Sequence, residues 1–418
     1  MSERETPVFK LENPIRNYAW GSYDGLRDWA GIKTDGAKPS AECWMGAHPE
    51  DPSSLALPGG STLSLAKYIH DYPMKSLGEE VFAEFGDLPF LFKALSASMP
   101  LSIQVHPDKA RAEAGFDSEE KRGIPRMAPE RNYKDRNHKP ELAVALSPFS
   151  ALCGFRTANE TTEMLGMELC EHFGYSAEDA EASLRRLLRK ALASRDRERT
   201  LLESKAISRA RELAKSADEK ARIAGETVLM CFQHYPHDPG AISPLFMNIL
   251  FFEPGQGVYI PAGVMHAYLK GTILEIMATS DNVIRGGLTH KHIDVDDLLG
   301  SLDFGAEPIL IKPESSASDA REAFWPTPAR EFSLSRFSLP NKKCADVKPS
   351  GPEILFCTEG TVSIDCVSGS IPSIVLKRGE SAFVSASCES YSLRGASTIY
   401  RARVASLSSS PDSSEVAS

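Results

Sequence analysis

The sequence predicts a mainly β protein with an α-helical insert: jelly-roll barrels carrying a separate helical domain. Three observations predict this. Short runs of apolar, β-branched and aromatic residues, closed by turn residues, recur before about residue 155 and again after residue 246. Between them, from about Asn159 to Gly225, the chain contains no proline and is rich in Ala, Leu, Glu, Arg and Lys. Many short strands with regularly spaced turns suit closed jelly-roll barrels, which leave no exposed sheet edge. At 418 residues there is room for two or three domains with cores of their own.

Taken in order, Pro89-Phe90-Leu91-Phe92-Lys93 and Leu101-Ser102-Ile103-Gln104-Val105-His106 read as strands, the second stopped by Pro107. The first 155 residues otherwise mix extended segments with turns. In the insert, Leu184, Leu187, Leu188 and Leu192 fall at helical spacing, and Leu201, Ile207 and Leu213 extend the apolar faces. Strands resume at Asn248–Phe252, end in the turn Glu253-Pro254-Gly255-Gln256-Gly257, and continue as Val258-Tyr259-Ile260 and Thr272–Ile276. After Pro313 further strands such as Thr361–Ile364 and Ser373–Leu376 run to about Val404. The expected domains are therefore a discontinuous catalytic β unit over 1–155 and 236–312, a helical insert over 156–235, and a C-terminal β barrel over 313–405. A Ser-rich tail over 406–418 is expected to be disordered.

Composition narrows the class. A net charge of −10 argues against nucleic acid, whose phosphates need a basic face, but leaves room for a small anion held by a local basic cluster. No apolar run is long enough to span a bilayer, and the chain opens on charged residues, so neither a membrane nor a leader is expected. Eight cysteines, among them Cys43, Cys153, Cys231 and Cys366, form no C-x-x-C pair. That spacing fits reduced thiols in the cytoplasm and offers no thiolate zinc site.

The chemistry gathers around four residues. Gln104 and His106 alternate on one strand and so share a face. Glu141 ends Asn137-His138-Lys139-Pro140-Glu141, where the proline favours an extended approach. His266 follows the turn Pro261-Ala262-Gly263, which stops one strand and launches the next. Each alone has a bland alternative: a hydrogen-bonded core histidine, a solvated carboxylate. Together they are two nitrogens and two oxygens with one negative charge. This donor set suits zinc, and also iron or manganese. The spacing Gly255-x5-Pro261-x-Gly263-x2-His266 resembles the second signature of cupin barrels, although Lys270 stands where cupins often carry asparagine. Of the first signature only His106 fits directly, so the stretch from Pro107 to Asn137 would have to fold back to deliver Glu141.

Six further motifs carry a more specific resemblance. They are Asn17-Tyr18-Ala19-Trp20-Gly21, Ala41–Pro49, Leu88–Lys93, Ser102–Lys109, Asn137–Glu141 and the block Tyr259–Lys291 with Glu275–Arg285 inside it. In order and spacing these resemble the type I mannose-6-phosphate isomerases over roughly the first three quarters of the chain. Gly286 and His290 depart from that family's usual alanine and proline. The resemblance implies a cupin-type barrel holding one Zn²⁺ through Gln104, His106, Glu141 and His266, with Arg285 catalytic. It implies a small-molecule sugar phosphate as the partner; a monomer is expected.

Aldose–ketose isomerisation needs an electrophile at the sugar oxygens, a proton carrier at C1 and C2, and a phosphate clamp. Glu275, Lys139 and His266 are the candidate carriers, His266 a weak one if it binds metal; the alternative roles of Glu275 and Lys139 are to orient or neutralise a metal ligand. An ion pair with Asp281 or Glu275 is the alternative role for Arg285. Ser102, Lys93 and Lys291 are the phosphate candidates, and Trp20, Glu42, Tyr268 and Asp281 complete the expected substrate pocket. The two glycines after Arg285 are expected to make its loop mobile or conformationally unusual. Other cupin metalloenzymes, or a non-catalytic sugar-binding cupin, are the competing readings.

Overall fold

The computed structural model describes residues 6–57, 59–340, 344–366 and 372–406, so all but the first residue of the expected tail lies outside the described residues. It is a strand-rich molecule with a helical insert. One sheet runs in the order Ile309–Ile311, Gly257–Ile260, Glu141–Ala145, His266–Ala278, Phe90–Ala97, Glu42–Met45, Ile15–Arg16. Its central element is the 13-residue strand His266–Ala278, which serves two sets of neighbours. Its first half pairs with Ile103–Val105 and Phe149–Phe155, and its second half with Phe90–Ala97 and Glu141–Ala145. The change of partners falls at Gly271, where φ is +118° and an added Cβ would lie 2.5 Å from the Pro148 carbonyl oxygen. Only glycine fits that corner.

Alternation along these strands assigns their faces. On Phe90–Ala97, residues Phe90, Phe92 and Ala94 face a core shared with Ile354, Phe356, Phe383 and Tyr400, whereas Leu95 faces the barrel interior with Tyr268 and Ile273. The strand is buried on both sides, which is why it reads as one apolar run. On Ile103–Val105 the two end residues point outward into the core of the helical insert, and Gln104 faces the other way.

The insert contains the helices Ala158–Phe173, Ala180–Ala193, Asp196–Leu213 and Glu219–His234. A capping box between Thr157 and Glu160 starts the first. Leu184, Leu187, Leu188 and Leu192 are buried together with Leu213, Val228 and Phe232. The first 155 residues hold more helix than their composition suggests: Leu65–Asp71, Pro73–Leu77, Glu79–Phe85 and Lys109–Lys121 are all helical. These are short segments stabilised by tertiary packing, beyond the reach of propensity.

The chain's beginning does not stay with the catalytic sheet. Val8–Glu12 pairs antiparallel with Ser381–Val384, and Ser54–Ala56 continues that second sheet on its other side. The C-terminal barrel thus includes N-terminal residues, a contact spanning nearly the whole sequence that no local pattern announces.

Candidate metal centre and substrate pocket

Across three adjacent strands, His266 lies opposite Gln104, and Gln104 lies opposite Arg285. Residues paired directly across an antiparallel ladder project from the same face, so one row presents an imidazole, an amide and a guanidinium together. Glu141 comes from a further strand of the same sheet, paired with Ile260 and Met277. The Pro261-Ala262-Gly263 turn is tied to the ligand strand by Gly263 N donating to the His106 carbonyl at 2.9 Å. Gly263 has φ +85°, another position that favours glycine.

His106, Glu141 and His266 are completely buried and their ligand atoms lie within 4.8 Å of one another. His106 Nε2 is 3.3 Å from Glu141 Oε1, and His266 Nε2 is 3.3 Å from Glu141 Oε2. Both imidazole Nε2 atoms and Glu141 Oε2 have no hydrogen-bond partner among the described residues. Their opposite ring nitrogens are committed: His106 Nδ1 bonds the Asn282 carbonyl at 2.7 Å and His266 Nδ1 bonds the Val264 carbonyl at 3.0 Å. Carbonyls can only accept, so each Nδ1 carries the proton and each Nε2 presents its lone pair inward. Burial, with Lys139 adding to it, pushes the His106 imidazolium down to about 4, which keeps it neutral as a ligand must be. Burial works against the Glu141 carboxylate, but the effects led by the charge of Lys139 outweigh it and hold it well below its usual range. Three buried donor atoms without partners fit a cation, and the two-nitrogen, one-carboxylate set suits zinc.

Beside this cluster lies a second buried group. Glu275 is paired with Lys93 in the ladder, and Lys93 Nζ sits 3.1 Å from Glu275 Oε2. Tyr268 donates its hydroxyl to Glu275 Oε1 at 2.7 Å. Burial and then the charge of Glu141 raise the Glu275 carboxyl above its usual range, against Lys93 and Lys139. Burial opposes the charge on Lys93, yet Glu42, Glu275 and Glu141 hold its ammonium protonated beyond the usual lysine range. Lys139 Nζ lies 3.1 Å from Glu141 Oε1. Glu42 is buried and accepts from Trp44 Nε1 at 2.7 Å, and Lys93 lies over the Trp44 ring.

The remaining candidates ring this interior. Trp20 is half-buried, stacks on Tyr18 and packs against the barrel-interior core. Ser102 is half-buried and lies just ahead of the strand, which begins at Ile103. Lys291 is exposed, with its ammonium lowered by burial of its stem and by the positive charges of Arg285 and Lys134. Asp281 is 3.4 Å from His48, a buried histidine against the Trp44 ring. Sequence reasoning passed over His48 and Trp44, although both lie inside the Ala41–Pro49 motif. Arg285 forms no ion pair with Asp281 or Glu275; burial alone lowers its pKa, and no carboxylate among the described residues bridges to it. Its loop has the unusual backbone expected of the two glycines. Gly287 has φ +134° and packs so tightly that an added Cβ would sit 2.5 Å from Gly240 Cα. The glycines allow close packing of Arg285's strand against the helical side.

Residues 8–158 match the family profile "Phosphomannose isomerase type I, catalytic domain". The mannose-6-phosphate isomerase of Escherichia coli (strain K12) is 39% identical over 392 residues, 92% of this chain and 97% of its own. The chain belongs to the type I phosphomannose isomerase family. A human family member is 32% identical over 415 residues, covering 93% of this chain and 95% of that protein. Among solved structures of the family, a zinc-bound mannose 6-phosphate isomerase superposes with a TM-score of 0.85 at 36% identity. The match covers 96% of this chain and 100% of that one. A variant of the Salmonella typhimurium phosphomannose isomerase gives a TM-score of 0.86 over the same shares. The likeness extends through the helical insert and the C-terminal barrel, where the sequence offered no motif.

Proposed function

We propose that this chain is a zinc-dependent aldose–ketose isomerase interconverting mannose 6-phosphate and fructose 6-phosphate. The observation that carries the reading is the set of three buried, partnerless ligand atoms on His106, Glu141 and His266, with the unpaired guanidinium of Arg285 on the same row of strands. Gln104, opposite His266, completes the proposed ligand set as a neutral oxygen donor. Zinc, when bound, supplies Lewis acidity toward negative charge developing on a sugar oxygen.

The chain's own residues do the rest. Arg285 is a permanent cation with no carboxylate partner among the described residues, so its fork of donors is available to the substrate oxygens. Lys291 and Lys134 lie within electrostatic reach of each other and form, with Arg285, a basic rim for the phosphate. Lys139 is committed to Glu141, with Nζ 3.1 Å from Oε1, and so serves the metal ligand rather than the proton transfer. Glu275 is the carboxylate with raised proton affinity, held in place by Tyr268 and Lys93. We assign to it the carbon proton transfer: it takes the proton from C2 of the open-chain aldose, leaving an enediolate with its charge on O1, and returns a proton to C1 while the hydroxyl proton of O2 passes to O1 and O2 becomes the ketone. The same reading puts the protein in the cytoplasm as a monomer, in keeping with eight free cysteines; no described helix is long and apolar enough to cross a membrane.

The test is conversion itself. Zinc-loaded protein incubated with mannose 6-phosphate in deuterated water should produce fructose 6-phosphate with label entering at C1, followed by NMR. Glu275→Gln should stop conversion and label entry while zinc and substrate still bind. No conversion by intact, zinc-loaded protein, or conversion only with iron and oxygen, would defeat the reading in favour of another metal-binding barrel.

A further inference from the structure

The stretch after His106 must return to bring Glu141 to the same centre, and the residue it returns to is Asn282. Asn282 is 0% exposed. Its Oδ1 accepts from Lys134 N at 2.7 Å and from Asp135 N at 3.2 Å. Its Nδ2 donates to the Asp135 carbonyl at 2.9 Å, to the Asn137 carbonyl at 2.9 Å and to Asp135 Oδ1 at 3.2 Å. Asp135 answers from its own side, accepting from Asp281 N at 2.7 Å and from the Ser280 hydroxyl at 2.8 Å. The backbone carbonyl of Asn282 is the acceptor that fixes His106 Nδ1, at 2.7 Å.

We propose that Asn282 is a positioning residue that ties the metal centre to Arg285. One buried residue joins three pieces: its side-chain amide holds the 134–137 stretch that leads to Lys139 and Glu141, its backbone carbonyl sets the tautomer of His106, and its own backbone continues into the strand of Arg285. The chemistry explains why an amide stands there. Only asparagine or glutamine offers an acceptor and two donors at one planar end, and the shorter side chain matches these contacts. Aspartate would lose every Nδ2 donation and set a second carboxylate against Asp135. Alanine would take these partners from the Lys134 and Asp135 N–H groups and from the Asp135 carbonyl, a costly omission, and would leave the Asn137 carbonyl only the Ser280 hydroxyl at 3.2 Å. Asn137 is bonded to Asn282 and leads through Pro140 directly into Glu141, so a shift at the knot is passed to the ligand with little slack. On its other side Asn282 runs into Ile284 and Arg285, whose strand pairs with Val105 and Gln104. A change in the knot therefore reaches the ligands and the guanidinium at once. Outer partners of metal ligands commonly act in this way, by holding orientation.

The kinetic half of this proposal rests on the isomerase reading; the metal half does not. The experiment compares Asn282→Asp and the gentler Ser280→Ala with the unsubstituted protein. It measures zinc affinity by chelator competition, kcat and KM at saturating zinc, and melting temperature. Asn282→Asp should bind zinc about 10–100-fold more weakly. With zinc saturating it should still lose roughly tenfold or more in kcat, with KM changed less, because Arg285 acts mainly in the transition state. Ser280→Ala, which removes one rung of the knot, should show the same pattern with smaller factors. Lower melting temperature with unchanged zinc affinity and kcat would make Asn282 merely structural and overturn the proposal. Full recovery of kcat at saturating zinc would remove the link to Arg285 and overturn it equally. Should Asn282→Asp fail to fold, Ser280→Ala decides by the same criteria. Should the unsubstituted protein fail to isomerise, the proposed function falls while the zinc affinities still decide this inference.

Discussion

Glu141 in the catalytic barrel and Glu353 in the C-terminal barrel are buried alike, at 1% and 0% exposure, yet their surroundings are opposite. Glu353 is closed: Arg401 Nη2 reaches Oε1 at 2.6 Å and the Tyr391 hydroxyl reaches Oε2 at 2.7 Å. Arg401 in turn meets Glu322 at 3.1 Å, and Ser335 donates to the same Glu322 oxygen. Glu141 is open: its Oε2 and both facing imidazole Nε2 atoms have no hydrogen-bond partner among the described residues. A buried charge that finds its partners within the protein needs nothing more, although Arg401 Nε remains without one. A buried carboxylate facing two lone pairs is a high-energy arrangement unless a cation joins it. The difference separates a barrel built to be filled by a ligand from one that completes itself.

Substitutions can break or sharpen this contrast. The largest effect is expected at the open site. His266→Ala should lose zinc and activity together, read by metal analysis and turnover, with Gln104→Ala weaker in both respects because an amide is the poorer ligand. Retention of full activity by His266→Ala would place the reaction elsewhere.

Next comes Arg285, beside the open site but not part of its ligand set. Arg285→Ala should keep one zinc and its melting temperature while kcat falls on the order of 10²–10³-fold. Arg285→Lys should recover little, since a point charge does not reproduce the planar fork. Normal kcat in a stable Arg285→Ala protein would take Arg285 out of the mechanism.

At the closed site the effect should be on stability alone. Glu353→Gln leaves Arg401 as a buried, partly unpaired cation, with an expected loss of about 3–5 kcal/mol in denaturant unfolding. Zinc content and kcat of the folded enzyme should not change. A variant that unfolds no more easily but binds zinc poorly would join the two barrels functionally and remove the contrast.

The smallest effect concerns Tyr268, whose hydrogen bond lowers the proton affinity of Glu275. Its removal in Tyr268→Phe raises that carboxyl further above its usual range. If Glu275 must be ionised to accept the C2 proton, activity is lost as pH falls through this pKa. The acid limb of kcat should therefore move to higher pH in Tyr268→Phe, with a modest loss well above the limb. An acid limb that stays put would separate it from Glu275.

How much of this was legible in the sequence follows from how local each signal is. Gln104 and His106 declare a shared face by alternation, and the Pro261–Gly263 turn declares where His266 starts its strand. The helical insert shows itself through the leucine spacing from Leu184 to Leu192. The return of Glu141 had only order and spacing to suggest it. What secures that return is side-chain bonding from Asn282 to residues about 145 positions earlier in the chain, which no periodicity encodes. Lys93 and Glu275 looked like separate candidates because their pairing is a matter of ladder register. The pairing of Val8–Leu11 with Ser381–Val384 is the extreme case. Nothing in either segment names the other.

The central claim is that the open cluster is completed by zinc and that catalysis depends on it. The most direct test is titration of zinc into metal-free, unsubstituted protein, with bound metal and mannose 6-phosphate turnover measured on the same samples. The account predicts negligible turnover without metal, a linear rise with added zinc, and a plateau at one equivalent per chain. Full turnover in verified metal-free protein, or zinc bound to one equivalent without turnover, would contradict it.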